Sequence, residues 1–342
     1  MRAPIRLIPP LLLAAALVSA CGQSGSSGTG GGATNAAGSS TAAGGGSDCA
    51  PVAGDQLVVL QDDQHLQNAD NVVPLVYAPA AQSNPALLPA LNAISAKLTT
   101  KDLITMNAAV DVDRKVATDV ASNWVDQAGV TQGLQKGSGK IVVGGSNFTE
   151  STVLANVYAD VLKSAGFDAS VQEVGNRDLY LKALEAGQIQ AFPEYLATVT
   201  EALNAQVNGA NPTPVASGDV DKTLTAAQGF AAQKNLKFGT PSQAADQNAF
   251  AVSKNFADKH KVTTLSDLAK ACATGTLVLG GPPECPTRPF CEPGLEKTYG
   301  LNFKSFKQLD AGGPLTKTAI QKGTVSIGLV FSSDGALAQK NG

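Results

Sequence analysis

Ile141-Val142-Val143-Gly144-Gly145-Ser146-Asn147-Phe148-Thr149-Glu150 decides how the rest of the chain is read. Three β-branched residues make a short buried strand, Gly144 to Ser146 turn the chain, and Asn147-Phe148-Thr149-Glu150 has the form of a capping box opening a helix. In that helix Val153, Leu154, Val157, Tyr158, Val161 and Leu162 share one face, and Gly166 supplies the stop. A strand that delivers a glycine turn to a helix N-terminus leaves backbone N–H groups free for a ligand. Further along, the spacing predicts a strand at 171–174, a helix at 178–186, a strand at 189–192 running into Pro193-Glu194-Tyr195, a helix at 315–321 and a strand at 325–331. Short apolar runs alternating with amphipathic stretches are the pattern of a largely parallel α/β sheet. On the other side of the opening stretch, Leu57–Leu60 and Val72–Tyr77 are apolar runs followed by helical segments, and 133–139 makes a short joint.

The N-terminus reads as export. Arg2 and Arg6 precede an apolar run from Leu7 to Val18, too short to span a membrane as a mature helix. Val18-Ser19-Ala20-Cys21 is similar to a bacterial lipobox, so residues 1–20 are expected to be a signal peptide and Cys21 the lipid-bearing first residue. Gly22–Asp48 is almost wholly Gly, Ser, Ala and Thr, a composition that cannot bury enough apolar area to offset chain entropy. Residues 21–48 are therefore expected to be a flexible tether spanning on the order of 30 Å.

The chain has 342 residues, 25 basic and 28 acidic side chains and a net charge of −3. That length suits two domains, and the balance excludes a polyanion-binding role, so no nucleic-acid partner is expected. Two histidines, His65 and His260, and the absence of HExxH, GxSxG and GxxxxGK[ST] leave no nucleophile and base to name, so no catalytic residue, cofactor or metal is expected. Both histidines, Asp62-Asp63 and Lys259-His260-Lys261 read as solvated charge, and Trp124 reads as core.

Besides Cys21 there are Cys49, Cys272, Cys285 and Cys291, an even number in an exported chain. Cys285 and Cys291 are neighbours flanking a turn-rich loop and are taken as one pair, which leaves Cys49 with Cys272. Four cysteines allow three connectivities.

Gly144–Glu150, Ala186-Gly187-Gln188-Ile189 and Pro193-Glu194-Tyr195-Leu196-Ala197-Thr198 together resemble the osmoprotectant-binding proteins of ABC importers. So do Thr264–Leu268, Arg288-Pro289 with Gly294–Gly300, and Phe331-Ser332-Ser333-Asp334-Gly335. The resemblance implies a type II periplasmic-binding-protein fold, two α/β lobes with ligand in a cleft. It also implies an unusual order. The family's closing segment resembles Leu57–Asp63, Asn71–Leu75, Leu91–Thr99 and Met106–Asp111, which here stand at the front, so the chain reads as a circular permutant. The expected organisation is 49–135 as a segment of lobe 1 moved to the front, 136–204 as the rest of lobe 1, 205–325 as lobe 2, and 326–342 as hinge strand and C-terminus. Ala338 to Gly342 are then expected near Asp55 and Gln56.

A quaternary amine cannot donate a hydrogen bond, so aromatic faces must meet it and a separate cation must hold any carboxylate. The resemblance places Tyr195 in the aromatic box, Thr198 as a hydroxyl facing the ligand, and Arg288 as the carboxylate clamp, a task that suits a planar guanidinium. Asn147 and Ser151 fall in the family's ligand-contacting run. Asn248 stands where many members carry a second tyrosine, Thr316 and Lys317 where a third is expected, and Phe331 is the remaining aromatic. The implied function is capture of a small quaternary-amine or zwitterionic osmoprotectant such as glycine betaine. The partners would be an ABC permease with its ATPase, and a monomer would stand lipid-anchored at the outer face of the cytoplasmic membrane. The alternatives are a solute-sensing module, or a receptor for a more polar ligand, without osmoprotectant transport.

Overall fold

The computed structural model describes residues 49–209, 212–273 and 275–338. The signal peptide, Cys21 and the tether to residue 48 lie outside the described residues, as do 339–342. The described strands are β1 (Leu57–Leu60), β2 (Val72–Tyr77), β3 (Lys140–Gly145), β4 (Asp168–Glu173), β5 (Ala191–Tyr195), β6 (Leu236–Phe238), β7 (Asn248–Ser253), β8 (Leu277–Gly281), β9 (Phe303–Gln308) and β10 (Ile327–Phe331). The described helices begin with α1 (Ala78–Ser83), α2 (Leu87–Ser95), α3 (Thr100–Asp111), α4 (Ala117–Ala128), α5 (Thr149–Ser164) and α6 (Arg177–Glu185). They continue with α7 (Leu196–Asn208), α8 (Val220–Ala232), α9 (Lys254–His260), α10 (Leu265–Ala271), α11 (Glu292–Tyr299) and α12 (Pro314–Gln321).

Two five-stranded sheets carry the fold, ordered β4-β3-β5-β2-β6 and β9-β8-β10-β7-β1. Each is mixed rather than largely parallel. In the first, β4, β3 and β5 are parallel and β2 is antiparallel to both β5 and β6. In the second, β9, β8 and β10 are parallel and β7 is antiparallel to both β10 and β1. Periodicity reports burial and not strand direction, so the antiparallel member of each sheet was invisible to it. Pro74 of β2 faces Pro193 of β5. Two prolines can oppose each other only at a pair that exchanges no hydrogen bond, so this register is tightly constrained.

Both faces of each sheet are covered. On the first sheet one apolar layer gathers Leu91, Leu103, Trp124, Leu154 and Tyr158, and the other gathers Tyr180, Leu184, Phe192, Leu203 and Phe238. Tyr180 stacks on Phe192 with ring centroids 3.8 Å apart. On the second sheet Leu60, Phe250, Phe256, Leu279 and Leu295 form one layer and Ala251, Ile320 and Val330 the other.

The lobe limits differ from the expected ones. β1 belongs to the second sheet, while α8 and β6 belong with the first, so lobe 1 runs past residue 204 to about 243 and residues 49–60 belong to lobe 2. The cause is β-pairing between strands distant in sequence, which local pattern cannot report. Two disulfides, Cys49–Cys272 and Cys285–Cys291, both lie in lobe 2. The predicted strand at 189–192 sits two residues later, because Gln190 is used to hold the Val142 N–H and β5 continues through Pro193 to Tyr195.

Three segments cross between the lobes side by side. Asn71 bridges Ala245, Val72 N–H donates to Ala244 O at 2.8 Å, and Asp246 N–H donates to Asp70 O at 3.2 Å. Ser332 joins them, its N–H donating to Gln247 O at 2.9 Å and its hydroxyl to Ala245 O at 2.8 Å.

Candidate ligand cleft

The cleft of about 520 Å³ opens where these crossings meet the two lobes. Lobe 1 contributes Phe148, Arg177, Tyr195 and Thr198; the crossings contribute Asp70, Asp246, Asn248 and Phe331; lobe 2 contributes Arg288 and Phe290. A smaller chamber of about 370 Å³ adjoins it, sharing Phe148, Asp246 and Phe331 and reaching Glu150, Asn107 and Lys317.

Tyr195 ends β5 and is almost wholly buried, with its hydroxyl donating to Glu150 Oε1 at 2.6 Å. Phe148 lies 6.4 Å away, ring to ring, and is 46% exposed; Phe331 is 39% exposed. Large apolar rings left this open beside a cleft are ready to be covered. Thr198 opens the first turn of α7, and its N–H donates to Asp70 Oδ1 at 2.9 Å while its hydroxyl donates to Oδ2. Arg288 projects from the loop closed by Cys285–Cys291, 3.7 Å from Glu284 and about half exposed. Gln67 Nε2 donates to Phe290 O at 3.0 Å and so ties that loop to the first crossing. Asn248, the first residue of β7, faces Phe331 of β10 in register.

The turn at 144–151 corrects the sequence reading. Phe148, not Asn147, is the N-cap of α5, and it makes no side-chain cap. Glu150 does not reach back to the turn; it is buried, accepting from Tyr195 and from Asn107 Nδ2 at 2.6 Å. Ser151 is wholly buried, where its Oγ accepts the Ser146 N–H at 2.8 Å, and it does not line the cleft. Asn147 is exposed on the turn and outside the lining. Asp62 is not simply solvated charge: it accepts from Leu66 N–H at 2.9 Å, Gln67 N–H at 2.7 Å and the Tyr299 hydroxyl, shaping the first crossing. His260 is half-buried against Phe256, its Nδ1 3.7 Å from Cys49 Sγ, whose sulfur is committed to a disulfide.

Sequence reasoning passed over Phe148, Asp70 and Asp246. Asp70 and Asp246 each stand just before a buried strand, β2 and β7, at the point where the chain changes lobes.

The electrostatics are dominated by acids. Burial pushes Asp70 above the ordinary carboxylate range, against the hydrogen bonds from Thr198 and the charge of Arg177. Burial also raises Glu150, against its bonds from Tyr195 and Asn107. Asp246 is pushed up to about 7, first by burial and then by the facing charge of Glu150. Arg177 is turned to Glu194 at 3.2 Å. Burial works against the guanidinium's charge, but Glu194 outweighs it and keeps Arg177 ionised.

A family profile described as the substrate-binding domain of ABC-type glycine betaine transport systems, OpuAC, matches residues 50–127 and 139–342. The chain belongs to that family. OpuAC members are transport receptors rather than a family of enzymes, and they act outside the cytoplasm. The chain is 26% identical over 225 residues to the glycine betaine-binding protein YehZ of Escherichia coli, covering 64% of this chain and 72% of that protein. It is 29% identical over 207 residues to a glycine-betaine-binding protein of Pseudomonas aeruginosa, covering 57% of this chain and 62% of the relative. A crystal structure of a glycine betaine/carnitine/choline ABC transporter matches at 20% identity and a TM-score of 0.43, over 58% of this chain and 70% of that one. No helix among the described residues is long and apolar enough to cross a membrane.

Proposed function

We propose that this OpuAC-family chain captures a small quaternary-amine or zwitterionic solute of the glycine betaine kind in the cleft between its lobes and hands it to an ABC permease. The observation that supports the reading is that Phe148, Tyr195, Phe331 and Asp246 line one cleft together with Arg288. Rings and a carboxylate suit an ammonium, and a guanidinium suits a carboxylate on the same solute. Thr198 and Asn248 supply polar lining. Cys21 would anchor the receptor to the outer face of the cytoplasmic membrane, and it would work as a monomer without catalysis. Calorimetric titration of the full chain with glycine betaine, choline, carnitine and proline betaine tests this. Micromolar binding that is lost in Tyr195→Ala and Arg288→Ala supports the reading, and silence from these solutes and from their less methylated counterparts alike removes it.

The permuted order belongs to the same reading. In lobe 1 the parallel strands β3, β4 and β5 are followed in sequence by the edge strand β6. In lobe 2 the matching strands are β8, β9 and β10, but the matching edge strand is β1, at the other end of the chain. Joining the C-terminus to β1 would make the two lobes alike. In support, the turn at 335–337 lies beside β1 and against α3, where a Cβ on Gly335 would come within 2.5 Å of the Ala108 nitrogen. The family match also breaks between 127 and 139. A chain begun at Lys140 and closed by a short linker from Ala338 to Asp55 should fold and bind as the natural one does. Failure of several linker lengths would count against a permutation.

A further inference from the structure

Three carboxylates gather where the two chambers adjoin, and only one of them keeps an oxygen without a donor. Both oxygens of Asp70 receive bonds from Thr198. Both oxygens of Glu150 receive bonds, from Tyr195 and Asn107. Asp246 lines both chambers, yet among the described residues its buried Oδ1 meets no hydrogen-bond donor. The cations bordering the two chambers are each turned to another acid: Arg177 to Glu194 at 3.2 Å, Arg288 to Glu284 at 3.7 Å and Lys317 to Asp334 at 2.6 Å. Asp246 therefore faces Glu150 and Asp70 with no cation turned to it, and its carboxyl is held up to about 7 by burial and by Glu150, against the hydrogen bonds that Ser333 gives its other side.

A buried carboxylate oxygen that lacks a donor discriminates between kinds of ammonium. A permethylated nitrogen carries charge but no proton, so it presents methyl groups to Asp246 and leaves a desolvated acceptor unpaired. An ammonium bearing N–H satisfies the same oxygen with a charge-assisted hydrogen bond. The rings do not set this preference, because an aromatic face attracts either kind of ammonium. Tyr195 is held by its hydroxyl to Glu150, and Phe148 and Phe331 are partly exposed.

Resting on the reading of this cleft as the solute site, we propose that it selects a small zwitterion or cation whose ammonium bears at least one N–H over the permethylated counterpart, with Asp246 accepting that proton's hydrogen bond. The preference is for primary, secondary or tertiary amine salts, and Arg288 remains the partner of a carboxylate where the solute has one.

Titrating the full chain with matched pairs tests it: glycine, sarcosine and dimethylglycine against glycine betaine, ethanolamine against choline, and proline against proline betaine. In at least one set the N–H-bearing member should bind tenfold or more tighter than its permethylated partner. In Asp246→Asn that ratio should fall to about one, with a melting transition showing that the variant is folded. Phe331→Ala should weaken both members of the pair alike and keep the ratio. Equal or tighter binding of the permethylated member, or a ratio that survives Asp246→Asn, overturns the inference and leaves the receptor reading standing. Silence from every pair overturns both.

Discussion

The two lobes use the same strand order but hold themselves together differently. Lobe 1 has no cysteine between residues 50 and 271 and relies on two thick apolar layers around Phe192, Tyr158 and Trp124. Lobe 2 carries both disulfides, one of which fastens Cys49, ahead of β1, to Cys272 at the end of α10. Ser326 Oγ donating to Cys49 O at 2.9 Å and Gly54 N–H donating to Gln321 O at 2.9 Å continue that seam. β1 is an edge strand of four residues paired on one side, to β7, and the Cys49 bridge with these hydrogen bonds pins the segment that leads into it. The same contrast extends to the cleft: lobe 1 offers side chains locked in buried networks, while lobe 2 offers Arg288 on an exposed loop braced by a disulfide.

The largest expected effect is removal of the long cross-link. The Cys49–Cys272 bond spans 223 residues of chain, and loop-closure entropy puts its contribution at about 5 kcal/mol as an upper bound. Cys49→Ser/Cys272→Ser should lower the melting point and, in hydrogen exchange, release β1 and the facing edge of β7 before anything in lobe 1. Uniform loss of protection in both lobes would erase the distinction. Next comes Phe192→Ala, which empties a stacked position in lobe 1 at a cost of about 3–5 kcal/mol. Urea unfolding should show lobe 1 yielding first, reversing the order seen in the cysteine variant.

The third effect has the opposite sign. Asp246 holds its proton to about pH 7 in the folded chain against an ordinary value of 3.8, so the folded state binds a proton that the unfolded state releases between those values. Stability contributed by this group is intact below about pH 4 and falls as pH rises to 7. Asp246→Asn should therefore stabilise the protein by about 2–4 kcal/mol at pH 8 and leave it unchanged at pH 4. Melting curves at the two pH values decide it, and a variant destabilised at pH 8 would mean that the acid is structurally paired. The smallest global effect belongs to Cys285→Ser/Cys291→Ser, about 2 kcal/mol for so short a loop. Its main consequence should be local, a several-fold loss of affinity for carboxylate-bearing solutes as Arg288 loses its brace. Unchanged affinity would show that Gln67 and the crossing alone hold the loop.

Much of this architecture was legible in the residues. Leu57–Leu60 and Val72–Tyr77 are apolar runs and became β1 and β2 with those limits, and the Ile141–Val143 strand leads into the long α5 as its periodicity required. β6 was not legible, because Leu-Lys-Phe is too short to show a period. Nor was the membership of β1 in the second sheet, a pairing with Ser253 to Phe250 nearly two hundred residues away. In the cleft, Tyr195 and Arg288 stood out through the motifs around them. Glu150 misled, since the same Thr-Glu pattern that caps helices here turns inward to Tyr195. Asp70 and Asp246 gave no local sign, because their meaning comes only from the crossing strands that bring them together.

Hydrogen exchange on the full chain, with and without a saturating solute from the titrations, tests most directly that the solute touches both lobes at once. The account predicts slowed exchange at 193–198 in lobe 1, at 244–248 in the crossings and at 284–291 in lobe 2. Slowing confined to one lobe, or to the hollow of about 520 Å³ beside β6 that Ala78, Pro79 and Phe238 line, would contradict it.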